Sequence, residues 1–320
     1  MAGIGFGAFY NQRTGLTPGE FARRVEDLGF DGFFCGETPT NRGPSYDQFT
    51  TMCFAAAATS TITVGSDVQL LPLHHPVWVA KEYGTLDRLS NGRAILAVGA
   101  GGEYAKQYEA LGIPVSERGI RTDESIEIIR SLWTDAETSY HGRIFQFDGV
   151  VMEPKPLQQP HPPIWVGGRP GGTEIGPDGK PRKKSATGAI RRAARFGDGW
   201  DPYYMTPAMY RDSVEQIREH AQEIGRDISH MQWALTTFWQ MGDSYDGALE
   251  IAKQKLRYGR DLSERVERYD ILGNPADVIK RLETFIDAGV RYFICNWSCD
   301  PSEVMSHVER IGNEVIPHFR

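Results

Sequence analysis

Residues that could carry chemistry occur at two points in the first quarter of the sequence. Glu37 follows an apolar run at residues 31–36, and His74 is paired with His75. A carboxylate at a strand end can act as a base or hydrogen-bond a bound ring, or it can simply cap the next turn. Adjacent histidines point in different directions in extended chain, and the sequence offers no third ligand nearby. We therefore predict no metal site here, and we expect one histidine to face a cavity and the other to pack under Pro76.

A glycine-rich turn follows a second apolar run, in AILAVGAGGEYAKQYEALGI at residues 94–113. A dinucleotide fingerprint needs glycine at its first, third and sixth positions. Gly99 and Gly101 fit this pattern, but the sixth position is Tyr104. The turn is therefore only a weak match to a dinucleotide site.

A second glycine pair, Gly167-Gly168, ends another apolar run. Its backbone N–H groups could bind a phosphate together with Ser185 and the helix expected to start near Ala186. Alternatively, the two glycines only allow a tight turn.

The elements that position these residues are eight apolar runs separated by amphipathic helices. The alternation predicts an α/β fold, a (β/α)8 TIM barrel, with an open doubly wound sheet as the alternative. The chain exceeds the roughly 250 residues typical of a barrel, so we expect insertions at about 140–160, as a hairpin and a Pro-rich connection, and at 169–185, as a polar loop. The runs are 3–9, 31–36, 62–71, 94–100, 163–168, 198–203, 231–240 and 290–297.

Helix boundaries are well marked. Thr17 and Glu20 form a capping box, and Asn274-Pro275 gives a second start signal. Three stretches pass from a helix end through a glycine to an apolar run, and each glycine is suited to the left-handed position after a helix. These glycines are Gly29, Gly197 and Gly289.

Barrel active sites lie at the carboxyl ends of the strands. Those ends are rich in glycine and aromatic residues and poor in paired acids, which suits a planar aromatic ring better than metal-assisted hydrolysis. Trp200, Trp239 and Trp297 could stack on such a ring or pack in the core.

Composition excludes some classes of protein. The chain has 320 residues, 40% of them apolar, and a net charge of −7; we predict one domain over 1–320. The acidic balance argues against a nucleic-acid or membrane partner. Without a leader or a long apolar span, we expect a cytoplasmic protein.

The four cysteines are predicted to be free thiols, although Cys295 and Cys299 with a histidine could in principle bind zinc.

Several long segments together resemble the bacterial luciferase-like flavin-dependent monooxygenase and oxidoreductase family. They are VGSDVQLLPLHHPVWVAKEYGTLDRLSNGRAILAVGAGG at 64–102, YEALGIPVSERGIRTDESIEIIRSLWT at 108–134, EPKPLQQPHPPIWVGGR at 153–169 and RRAARFGDGW at 191–200. The resemblance implies a βα barrel that uses reduced FMN or the deazaflavin coenzyme F(420).

The resemblance also implies roles for individual residues. The segment Val68-Gln69-Leu70 corresponds to one that often holds a non-proline cis peptide beneath the ring. Glu37 falls where the family often has Ser-Asp/Glu-His, but this chain has Thr38 at the histidine position. We therefore predict Glu37 and His74 as catalytic residues, with Glu103 as another group that could move the proton. The predicted cofactor-binding residues are Phe9, Gln69, Leu70, Gly99, Gly101, Tyr104, Gly167, Gly168, Arg169 and Ser185.

For function, the resemblance implies a flavin-dependent oxidoreductase. A monooxygenase that uses reduced FMN and O2 on a small organic substrate is favoured, because the C-terminal segment VMSHVERIGNEVIPHF resembles FMN-using members. The alternatives are F(420)-dependent hydride transfer and a non-catalytic flavin-binding relative. We expect a separate flavin or deazaflavin reductase to supply reduced cofactor, and a homo-oligomer, either dimer or tetramer. The loop 170–184 is expected to be a lid or an oligomer contact.

Overall fold

The computed structural model describes residues 3–40, 44–102, 104–170, 173–175, 181–183, 188–255 and 262–320. The strands are β1 (Gly5–Phe9), β2 (Gly32–Cys35), β3 (Thr63–Ser66), β4 (Gln69–Leu70), β5 (Ala94–Gly99), β6 (Thr138–His141), β7 (Gln146–Val150), β8 (Ile164–Gly167), β9 (Thr173–Ile175), β10 (Pro181–Lys183), β11 (Gly199–Asp201), β12 (Gln232–Met241), β13 (Ile271–Gly273) and β14 (Tyr292–Trp297). The α-helices are α1 (Pro18–Asp27), α2 (Gln48–Ala58), α3 (Pro76–Leu89), α4 (Ala105–Ala110), α5 (Arg118–Thr134), α6 (Gly188–Phe196), α7 (Pro207–Glu223), α8 (Tyr245–Lys255), α9 (Leu262–Tyr269), α10 (Pro275–Asp287) and α11 (Val304–Arg310).

The chain divides into two compact units. The first unit comprises Tyr10–Asp27 and Asp31–Trp165. In it, β2 pairs in parallel with β3, β3 with β5, and β4 with β5. All residues of β2 and β5 are buried, as expected of parallel strands covered on both faces. The capping box forms, because the N–H of Thr17 donates to Glu20 Oε2 and the N–H of Glu20 donates to Thr17 Oγ1.

The second unit comprises Met1–Phe9, Leu28–Phe30 and Val166–Arg320. Its long strand β12 pairs in parallel with β11, β13 and β14, and β14 pairs in parallel with β1. At the start of α10, Asn274 and Asp277 form the predicted cap reciprocally. Both units therefore follow the predicted alternation of parallel strands and helices.

The structure refines several of the expected boundaries. The third apolar run divides into β3 and β4, and the short strand β13 was not predicted. The first insertion holds the expected hairpin, in which β6 pairs antiparallel with β7. The second insertion was predicted as a plain loop, but β9 and β10 pair antiparallel within it.

The glycines that follow helices serve two different purposes. Gly29 and Gly289 have the predicted left-handed backbone, with φ of 79° and 112°. The prediction is wrong for Gly197, which does not have a positive φ. A Cβ at Gly197 would lie 2.8 Å from the carbonyl oxygen of Gly199 and 2.9 Å from that of Ala193. Glycine is needed there for close approach.

A search of the described residues finds no helix that is both long and apolar enough to cross a membrane. The four cysteines are free, and three of them are buried. Within the same residues, no group of three or more His, Cys, Asp or Glu side chains could hold a metal ion.

The second unit contains a buried carboxyl group with a strongly altered acidity. Asp270 is 3% exposed, and its Oδ2 accepts a 3.2 Å hydrogen bond from the hydroxyl of Ser298. Burial raises the pKa of Asp270 to about 8, against the opposing effects of this hydrogen bond and of the Arg281 charge. The folded protein therefore holds a proton on Asp270 that the unfolded chain releases near pH 4.

This proton predicts a specific pH dependence of stability. Since the folded pKa is raised, the carboxyl group disfavours folding increasingly as the pH rises from about 4 to about 8, by up to about 1.4 kcal/mol per pH unit. We expect Asp270→Asn to match the wild type near pH 4 and to exceed its free energy of unfolding at pH 8.5. Urea unfolding of both proteins at these pH values measures the difference, and a difference independent of pH would contradict the prediction.

Candidate functional site

Glu37 lies two residues after β2 in the first unit, and it joins three other groups. Its Oε2 accepts hydrogen bonds from the backbone N–H of Leu70 at 2.6 Å and from Gln69 Nε2 at 2.9 Å. Its Oε1 lies 2.5 Å from His74 Nε2. Glu37 is therefore no simple cap of its own turn, because its partners lie 32 to 37 residues further along the chain.

The Glu37 carboxylate favours the protonated form of His74. Burial lowers the pKa of His74, but the hydrogen bond and charge of Glu37, together with the charges of Glu82 and Asp47, outweigh burial and leave the pKa above its usual value. The His74 side chain is 35% exposed, whereas that of Glu37 is 9% exposed. The pair therefore presents the imidazole to the surface, with the Glu37 carboxylate behind it. The structure thus brings together the two residues predicted to be catalytic.

His75 differs from expectation. It is exposed rather than packed under Pro76. Its Nδ1 accepts a 3.4 Å hydrogen bond from the N–H of Val77 at the start of α3, and its ring contacts Phe145 edge-on, with 5.3 Å between centroids. Since α3 begins at Pro76, a side chain that precedes it is better placed to cap the helix than to pack beneath it.

A buried hydrogen-bond chain lies behind Glu37. Gln69 is 4% exposed, and its Oε1 accepts a 3.1 Å hydrogen bond from the hydroxyl of Tyr83, which is fully buried. Burial raises the pKa of Tyr83 well above its usual value, so the phenol stays a neutral donor. The chain Tyr83–Gln69–Glu37–His74 thereby fixes the orientation of the carboxylate.

The sequence analysis did not single out Tyr83, which lies on the buried apolar face of α3. The available signal was its hydroxyl, since a phenol on a buried helix face needs a hydrogen-bond partner.

The segment from Asp67 to Leu70 has the predicted backbone. The peptide bond between Asp67 and Val68 is cis, as the resemblance implied for this region. Leu70 then donates its N–H to Glu37, and Gln69 and Leu70 form β4.

The glycine turn after β5 packs directly against this segment. A Cβ at Gly99 would lie 2.5 Å from Val68 Cγ2, and one at Gly101 would lie 3.1 Å from Leu70 Cδ2. Gly101 also has a φ of 55°, which favours glycine. The two glycines therefore admit the Val68–Leu70 side chains. Their predicted closeness to a cofactor stays a prediction, as does the role of Tyr104, whose side chain is 52% exposed.

The other predicted cofactor-binding residues lie in the second unit. Phe9 ends β1, and its carbonyl oxygen accepts a 2.6 Å hydrogen bond from Trp297 Nε1. Gly168 has a φ of 112°, and a Cβ there would lie 3.0 Å from Ala189 Cβ in α6. The segment that begins at Gly167 thus lies against the start of a helix, where backbone N–H groups can bind an anion. Ser185 and the helix start expected near Ala186 lie outside the described residues, as does Glu103 in the first unit.

The three tryptophans are all buried, which favours core packing over ligand stacking. Trp200 Nε1 donates to the carbonyl oxygen of Gly168 at 3.1 Å, and so supports the glycine segment from behind.

A surface groove in the first unit does not coincide with the predicted site. It has a volume of about 340 Å³ and lies between α2 and α3, where Phe49, Cys53, Trp78 and Glu82 contribute to its lining. None of the predicted site residues lines it.

Comparisons with known proteins show which family the chain is similar to. The family model described as luciferase-like monooxygenase matches residues 17–174. The 5,10-methylenetetrahydromethanopterin reductase of Archaeoglobus fulgidus is 27% identical over 94% of this chain and 95% of its own length. The oxygenase component of the flavin-dependent trigonelline monooxygenase of Acinetobacter baylyi is 34% identical, over 38% of this chain and 34% of its own.

Solved structures show the same fold. The coenzyme F420-dependent tetrahydromethanopterin reductase of Methanopyrus kandleri matches with a TM-score of 0.78 and 20% identity, over all of both chains. The oxygenating constituent of 3,6-diketocamphane monooxygenase of Pseudomonas putida, in complex with FMN, matches with a TM-score of 0.77 and 18% identity, over 99% of both.

The fold is that of a (β/α)8 barrel, as predicted, and not the open doubly wound sheet. The chain belongs to the luciferase-like monooxygenase family, and its relatives in sequence include a methylenetetrahydromethanopterin reductase and the oxygenase component of a flavin-dependent monooxygenase.

Proposed function

We propose that the chain is an oxidoreductase that transfers a hydride between the deazaflavin F420 and a small organic substrate. The observation that carries the proposal is the end-to-end similarity to 5,10-methylenetetrahydromethanopterin reductase, which spans 94% of this chain. Similarity to the trigonelline monooxygenase spans 38% of the chain. Because the similarity to the reductase covers more of the chain, we place hydride transfer before the monooxygenase that the C-terminal segment favoured.

The residues of the first unit fit such a cofactor. The turn at Gly99 and Gly101 has no side chain at either glycine, which lets it pack closely against the Val68–Leu70 segment. Next to it, the Val68–Leu70 segment is held rigidly by Glu37 through the Leu70 N–H. Bound F420 would supply the hydride, and the protein would hold its ring at this edge and exclude water.

Proton transfer is the part of the reaction that this chain's own side chains can perform. A carbonyl or imine carbon that gains a hydride leaves an adjacent oxygen or nitrogen that needs a proton. The His74 cation holds one proton toward Glu37 and carries a second on Nδ1, which faces away from that hydrogen bond. We assign His74 as the general acid, Glu37 as the group that keeps it charged, and Gln69 as the residue that orients Glu37.

A monooxygenase that uses reduced FMN and O2 is the second candidate. It is supported by the FMN-type resemblance of residues 304–319 and by the local identity to the trigonelline monooxygenase. For either cofactor, a separate reductase would supply the reduced form.

Binding of the two cofactors tests the proposal. We expect the purified protein to bind F420 with micromolar affinity, measured by fluorescence titration, and to bind FMN at least about tenfold more weakly. Reduced FMN should then give no oxygen uptake that depends on an added organic substrate. Tighter binding of FMN with substrate-dependent oxygen uptake would favour the monooxygenase, and binding of neither cofactor would favour a non-catalytic relative.

A further inference from the structure

A cluster of aromatic rings and arginines surrounds Tyr204 in the second unit. The Tyr204 ring stacks on Phe238, with 5.4 Å between centroids and 18° between planes. It contacts Tyr203 at 5.1 Å and Tyr269 at 5.9 Å. The guanidinium carbon of Arg265 lies 5.3 Å from the Tyr204 centroid, and that of Arg169 lies 6.0 Å from it. These six residues form what we call the Tyr204 cluster.

The Tyr204 cluster lies where the fold places binding residues. Arg169 follows β8, and Tyr203 and Tyr204 follow β11, in each case just past the carboxyl end of the strand. Tyr203 also forms a parallel bridge with Thr236 of β12. Ligand sites of (β/α)8 barrels are built from loops at these ends.

The backbone of Tyr204 indicates more than core packing. Its φ is 52°, in the left-handed region that residues with a side chain rarely adopt. Such conformations persist where the surrounding structure holds them, and they concentrate at functional sites. The neighbouring core aromatics Trp200 and Tyr210 are fully buried, whereas Tyr203, Tyr204, Phe238 and Tyr269 each keep part of their surface exposed.

The positive charges of the cluster indicate that its ligand is an anion. Arg169 and Arg265 are exposed, and both stand over the Tyr204 ring. An arginine over a ring face keeps its planar fork of N–H donors, which matches the two oxygens of a carboxylate. Partly exposed stacked rings supply a flat apolar surface for a conjugated group.

We propose that the Tyr204 cluster is a binding site for a small aromatic carboxylate, with the aromatic ring against the tyrosines and the carboxylate at Arg169 and Arg265. The proposal goes beyond the proposed function, because it gives Arg169, predicted above to bind the cofactor, a second ligand and adds residues that the proposed hydride transfer does not use.

Titration calorimetry with 2-naphthoate tests the site without any cofactor. We expect 2-naphthoate to bind, and 2-naphthalenemethanol and cyclohexanecarboxylate each to bind at least about tenfold more weakly, since each lacks either the charge or the planar ring. Tyr204→Asn should weaken 2-naphthoate binding about tenfold, and the variant should still fold, because asparagine tolerates the left-handed backbone.

Two arginine variants make the test independent of Tyr204. Arg265→Gln, at an exposed position, should also weaken 2-naphthoate binding about tenfold. Arg218→Gln is the matched control, because Arg218 stands over Trp233 at 5.6 Å and its loss changes the net charge equally. Equal affinity in the wild type and Arg265→Gln would overturn the proposal. Equally tight binding of the neutral alcohol would overturn it, and so would displacement of 2-naphthoate by inorganic phosphate at equal concentration, which would indicate a general anion site.

Discussion

Glu37→Gln is expected to lower the turnover number by about 100-fold or more, the usual contribution of a positioned general acid. The amide can still accept the hydrogen bond from Leu70, so the segment that it holds should stay in place. The change removes the charge beside His74. Without that charge, the pKa of His74 is expected to fall below its wild-type value, so that the imidazole loses its proton at lower pH.

The pH profile separates this role from a structural one. In the wild type, activity that needs the His74 cation is present below the raised pKa and is lost as the pH rises through it. In Glu37→Gln the same loss should occur at lower pH. NMR titration of the His74 ring measures the pKa directly and needs no substrate, and an unchanged His74 pKa would contradict the assignment.

Glu124→Gln provides a matched control. Glu124 is also a buried carboxylate of the first unit, and it accepts hydrogen bonds from the backbone N–H groups of Arg143, Ile144 and Phe145. Its replacement should lower stability, because these bonds weaken when the acceptor loses its charge. It should leave both the pKa of His74 and the pH profile of activity unchanged.

The parts of the fold that depend on local chemistry could be predicted from the sequence. The caps at Thr17 and Asn274 satisfy N–H groups within one helical turn, so the residues that form them are close in the sequence. The buried strands β2 and β5 could also be predicted, because each one is a continuous apolar run in the sequence. Gly197 marks the limit, because a glycine that serves close approach has the same sequence context as one that serves a left-handed turn.

The site was only partly predictable, since its contacts join distant residues. Glu37 and His74 were both candidates, but their 2.5 Å contact joins residues that are 37 positions apart in the sequence. Likewise, the residues next to Tyr204 in the sequence give no signal of its positive φ. The sequence shows which side chains are present, but which of them come into contact depends on the fold.

The largest effect on stability is expected at Arg93, a residue that the sequence did not mark as special. It is 9% exposed and donates five hydrogen bonds. Nε donates to the carbonyl oxygen of Ser90, Nη1 to Thr59 Oγ1 and the carbonyl oxygen of Ile62, and Nη2 to the carbonyl oxygens of Ala56 and Thr59. One guanidinium thus joins the end of α2, the approach to β3 and the turn between α3 and β5.

Arg93→Met should therefore lower the free energy of unfolding by at least about 3 kcal/mol, because it removes charged hydrogen bonds and leaves buried carbonyl oxygens without their donor. Arg93→Lys should recover only part of this loss, since an ammonium has three donors and no planar fork. Arg88→Met is the control: Arg88 is exposed, donates to the carbonyl oxygen of Lys155, and should change stability by less than about 1 kcal/mol. Urea unfolding of the three variants measures these differences. Equal losses in Arg93→Met and Arg88→Met would mean that water or a backbone shift replaces the buried guanidinium, so that it does not hold the first unit together.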